Sequence, residues 1–108
     1  MDVVHASLHR RHPAEPVPDG ETAEILAALW AHALPADGLQ HITARGENDR
    51  TDLLIYLRTL PDPDPAPDGQ PAVQRAHRLI ARTHRASPLL RRSHLPPVPP
   101  ADHAAGPR

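Results

Sequence analysis

Residues 50–58, RTDLLIYLR, form the one run dense enough in Leu, Ile and Tyr to serve as a central strand, and the rest of the chain has to be arranged around it. Strand periodicity puts Leu53, Ile55 and Leu57 on one side and Asp52, Leu54, Tyr56 and Arg58 on the other. Both sides therefore carry apolar groups. Just upstream, residues 39–45 alternate in the same way, with Ile42 and Ala44 on one face and Leu39, His41 and Thr43 on the other. The intervening GEND, residues 46–49, has turn chemistry, so residues 39–59 are predicted to form an antiparallel hairpin.

Two helices are predicted. Asp19 is a candidate N-cap for a helix over 21–34, with acids in its first turn and Thr22, Ile25, Leu26, Leu29, Trp30 and Ala33 on one stripe before Pro35. A second helix over 70–87 turns Val73, Ala76, Leu79, Ile80 and Thr83 inward, carries Arg75, Arg78, Arg82 and Arg85 as an outward basic stripe, and ends before Pro88. Residues 2–10 read as a strand with Val4, Ala6 and Leu8 inward and Val3, His5, Ser7 and His9 outward. A helix would instead align His5, His9 and His12, but the segment is short, uncapped and runs into Pro13. Residues 89–95 read as a fourth strand or a docked extension.

Proline divides these elements. Residues 13–20 form a Pro-rich connector, and 61–69, with proline at every second position, cannot be helix or inner strand. Asp62, Asp64 and Asp68 in that loop lack the twelve-residue pattern and terminal Glu of a calcium loop. The expected organisation is a single small domain over 1–95 and a flexible Pro-rich tail over 96–108. A PxxP-type docking role for the tail lacks a basic residue at the usual spacing, where Ser93 stands.

The resulting fold class is α+β: a small antiparallel sheet with two helices on one face, order β-α-β-β-α, ferredoxin-like, with Pro-rich loops and a disordered C-terminal tail. The order is similar to that of ACT and RNA-recognition-motif domains. Neither family's motif is present, and no site residue is carried over from them.

Composition narrows the function. With no Phe, one Trp and one Tyr in 108 residues, the core is thin, and pairing with a second chain is the usual remedy. All twelve basic residues are Arg, a bias that reads as GC-rich bacterial codon usage and devalues His and Arg counts as functional signals. The absence of Cys removes disulfides and thiolate metal sites. Without a leader-like N-terminus or a run of about 20 apolar residues, a cytoplasmic protein with no membrane contact is expected. Residues 1–68 hold five Arg against twelve acids and 69–108 seven Arg against one, an opposition that can be satisfied within the fold.

The open sheet face is expected to gather His5, Ser7, His9, His41, Thr43, Leu54, Tyr56 and Arg58. Leu54 and Tyr56, with His41 and Arg58, suggest a covered interface. His5, His9 and His41 are the candidates for a zinc site, if the three imidazoles converge. The Arg stripe offers an acidic protein or a phosphate backbone a docking surface, although stacking aromatics are nearly absent. No nucleophile elbow, glycine-rich phosphate loop or Cys nucleophile is present, so neither catalysis nor a cofactor is expected. The favoured reading is a non-enzymatic interaction or regulatory module, homodimeric through its sheet face. A weak nucleic-acid or acidic-protein binder comes second and a His-cluster metal binder third.

Overall fold

The computed structural model describes residues 1–59 and 71–99. Residues 60–70 and 100–108 lie outside the described residues, as do the expectations that fall on them. Strands β1 (Asp2–His9), β2 (Leu39–Gly46) and β3 (Arg50–Leu57) form one antiparallel sheet in the order β1-β3-β2. β3 is thus central, as its composition requires, and β1 and β2 run parallel to one another at the edges. Val4 and Ile42 both lie opposite Ile55, and Ala6 and Ala44 opposite Leu53, so the apolar alternations of the three strands coincide on one face. The β2–β3 hairpin closes through Glu47 N–H to Arg50 O at 2.8 Å.

That inward face shares a single core cluster with Ile25 and Leu29 of α1 (Glu21–Ala31), Ala76, Leu79 and Ile80 of α2 (Pro71–Ala86), and Leu90 of α3 (Pro88–Ser93). Leu53, Ile55 and Leu57 are wholly buried. At about 1.5–3 kcal/mol for each large apolar side chain fully buried, this cluster supplies the main stabilisation of a chain without Phe.

Several local expectations are corrected. The N-cap of α1 is Gly20, in the left-handed region at φ 81°, and no side chain caps it; Asp19 stands one residue too early. The helix ends at Ala31, three residues short of the expected boundary, because Leu34 is extended ahead of Pro35 and the chain enters a 3₁₀ turn over Pro35–Asp37. Trp30 is 47% exposed rather than inward. Burial follows the i, i+4 row Glu21–Ile25–Leu29, and Trp30 continues the flanking row of Thr22 and Leu26, which is only half-buried.

Residues 89–95 are not a strand. Pro88 ends α2, as expected, and also occupies the first turn of α3, where its missing N–H costs nothing; Ser87 Oγ accepts from Leu90 N–H at 3.3 Å. α3 docks through Leu90, and pairing with β1 is confined to one antiparallel bridge, Arg10 with His94.

Candidate functional site

The face of the sheet opposite the core is built by the same registers. Tyr56 lies between Val3 and His41, Leu54 between His5 and Thr43, and Asp52 between Ser7 and Arg45. Val3 is 55% and Leu54 38% exposed, with Tyr56 half-buried between its neighbours. These three make a continuous apolar patch, because Val3 and Tyr56 are cross-strand partners and Leu54 and Tyr56 are two apart on one strand. The His41 and Tyr56 rings pack at 5.5 Å between centroids, tilted by 47°. Next to the patch, a shallow depression is lined by His5, Thr43, Arg45, Asp52 and Leu54.

The polar end of the face is pre-organised. Ser7 Oγ donates to Asp52 Oδ1 at 2.7 Å, and Arg50 Nε donates to the same oxygen at 3.0 Å. The Ser7 hydrogen bond is the largest cause holding the Asp52 carboxyl below its usual range. Arg50 and His5 add to it, against a smaller opposing effect of burial. One half of the face is therefore apolar and the other a fixed charge cluster.

The three candidate imidazoles do not form one group. His5 and His9 project from β1 and His41 from β2, with β3 and its Leu54 and Tyr56 between them. Among the described residues there is no group of three or more His, Cys, Asp or Glu that could hold a metal ion. Arg58 follows the end of β3 and is exposed, and its carbonyl accepts from Arg75.

The Arg stripe of α2 is also corrected. Arg78 and Arg85 are exposed, but Arg75 is buried and donates to Asp37 O at 2.9 Å and Arg58 O at 3.2 Å. Arg82 makes a bidentate pair with the Asp37 carboxylate, at 2.9 and 3.2 Å, and also donates to His32 O at 2.8 Å. Two of the four guanidiniums therefore staple the 35–38 turn to α2. Burial alone would raise the Asp37 carboxyl. The Arg82 hydrogen bonds, the Leu34 N–H and the charges of Arg82 and Arg75 outweigh it and hold the group below its usual value. Gly38, at φ 69°, serves the same joint: a Cβ there would stand 2.8 Å from Arg75 Nη1.

A third group escaped sequence reasoning altogether. Arg10 and Glu21 form a buried ion pair at the end of β1 and the start of α1, with His94 buried behind them. Glu21 reads in the sequence as an ordinary first-turn acid. The one local signal near His94 was Ser87–Pro88, a helix start that argues against a fourth strand.

No protein-family model matches the chain, and neither the curated proteins nor the solved structures contain a match to it. Among the described residues, no helix is long and apolar enough to cross a membrane.

Proposed function

We propose that this chain is a small non-enzymatic interaction or regulatory module that associates with a second copy of itself through the open face of its sheet. The observation that carries the reading is the Val3–Tyr56–Leu54 patch, partly exposed and covered by no other element among the described residues, on a sheet whose other face carries the helical core. Pairing two such faces about a two-fold axis gives each chain the second apolar layer that its own composition lacks, and leaves His5, His9 and His41 at or near the contact. The order β1-β3-β2 with α2 following β3 supports reading the architecture as ferredoxin-like, with both long helices on the core side.

The alternative, a polyanion surface on α2, is weakened by the internal use of Arg75 and Arg82. Light scattering coupled to size exclusion tests the favoured reading: wild type is expected as a dimer at high micromolar concentration, and Tyr56→Asp as a folded monomer. A monomeric wild type whose Tyr56 is fully open to quenchers refutes it.

A further inference from the structure

His94 is the one histidine among the described residues with no exposed surface. It caps α3 with extended backbone, and its ring lies against Thr51 of β3. The hydrogen-bond chemistry assigns the ring protons. Ser93 Oγ donates to Leu89 O at 2.8 Å, so a lone pair of that hydroxyl faces His94 Nδ1 at 2.7 Å. Nδ1 therefore carries a proton, and in the neutral ring Nε2 accepts from the Thr51 hydroxyl at 2.9 Å. Both nitrogens are engaged.

The same residue joins the C-terminal segment to the edge of β1. His94 N–H donates to Leu90 O at 2.9 Å, and its carbonyl accepts from His84 Nε2–H at 3.0 Å. On either side of it, Arg11 N–H donates to Ser93 O at 3.0 Å and Leu95 N–H to His9 O at 2.8 Å. These two are the backbone bonds of the bridge, Arg11 Nε adds a side-chain link by donating to Arg91 O at 2.7 Å, and Pro96 and Pro97 follow at once. Neither has an N–H with which to extend the pairing.

A second proton on the ring would be opposed on every side. On Nε2 it would confront the Thr51 O–H, which would have to turn and give up its acceptor. The new charge would face Arg10 from the end of β1 and His84 from α2. Glu21 of α1, the one acid facing it among the described residues, is already paired with Arg10. Thr51 and Ser93 are neutral. In accord with this geometry, the imidazole is held below its ordinary 6.5, chiefly by burial, partly opposed by Glu21 and reinforced by Arg10 and His84.

We propose that His94 is a pH-sensitive latch: its neutral ring holds α3 and Leu95 on the edge of β1, and its protonation releases them. Because the closed form disfavours the proton, closure is complete above about pH 6.5 and is lost as pH falls from there toward the depressed value. Each pH unit in that window weakens closure by at most about tenfold. Release takes Leu90 out of the core and frees His9 O and Arg11 N–H on the β1 edge. The latch rests on the contacts of His94 and the β1 edge, and the proposal does not depend on the oligomeric reading.

The test is NMR on the full chain. The His94 ring is expected to titrate with a midpoint below 6.5. Amide exchange at Leu95 and Arg11, corrected for intrinsic rates, is expected to report more opening at pH 5.5 than at pH 7.5, up to about tenfold, with Ile55 in β3 unchanged. His94→Gln, which keeps hydrogen-bonding capacity without titrating, is expected to remove the pH dependence at both amides. A ring midpoint at or above 6.5, equal protection at the two pH values, or Leu95 and Arg11 changing in step with Ile55 overturns the proposal. The wild-type titration and exchange decide it even where the variant does not fold.

Discussion

Leu53 and Leu54 are adjacent on β3 and identical in type, yet one is wholly buried and the other 38% exposed, so truncating each in turn isolates the effect of the sheet face. Leu53 lies between Ala6 and Ala44 on the neighbouring strands. Neither methyl can reach into the space a truncated Leu53 would leave, so collapse is limited and the cavity cost stays high. The expected destabilisation for Leu53→Ala is about 3–5 kcal/mol, the upper part of the range for buried Leu to Ala. For a domain of this size, with a total stability of about 5–15 kcal/mol, that is a large fraction, and at about 4–8 °C per kcal/mol the melting midpoint falls by more than 12 °C. Leu54→Ala removes the same atoms from a half-solvated surface and should cost the monomer less than about 1 kcal/mol. Urea melts at low protein concentration, where association does not contribute, measure both. Equal losses, or the larger loss at Leu54, would mean that the strand is out of register by one residue and that the faces are exchanged.

Two further outcomes follow from the arginines. Asp37→Asn removes the carboxylate held by Arg82 and is expected to cost about 1.5–3 kcal/mol at neutral pH. Because the folded group sits below 3.8, its stabilisation is complete above that pH and is lost as pH falls through the depressed value, so the variant should show a flatter acid-unfolding curve below pH 4 by circular dichroism. Replacing Arg78 and Arg85 together by Gln is expected to leave the stability within about 0.5 kcal/mol of wild type, whereas Arg75→Gln with Arg82→Gln should destabilise. Comparable melts for the two double variants would place all four guanidiniums in solvent.

The sequence by itself determined the parts of this protein that depend on local periodicity. Leu, Ile and Tyr at residues 50–58 could only be a central strand, GEND at 46–49 could only turn it back on its neighbour, and the spacing of Ala76, Leu79, Ile80 and Thr83 marked the buried side of α2 before any contact was known. The apolar side of the exposed sheet face was legible for the same reason: the pleat sends Leu54 and Tyr56 away from Leu53, Ile55 and Leu57 whatever lies next to them. Tertiary structure alone decided where the long and polar side chains went. Arg75 and Arg82 have the helical spacing of an exposed stripe, but an arginine reaches far enough to leave its own face for a good acceptor, and theirs is a turn 38 and 45 residues away in sequence. Arg10, Glu21 and His94 come together from the end of a strand, the start of a helix and the end of another, a meeting that no local pattern encodes. Trp30 shows the converse: a large apolar residue on an apparently inward stripe stays exposed, because the width of the buried stripe depends on what packs against the helix, and that is set by the rest of the fold.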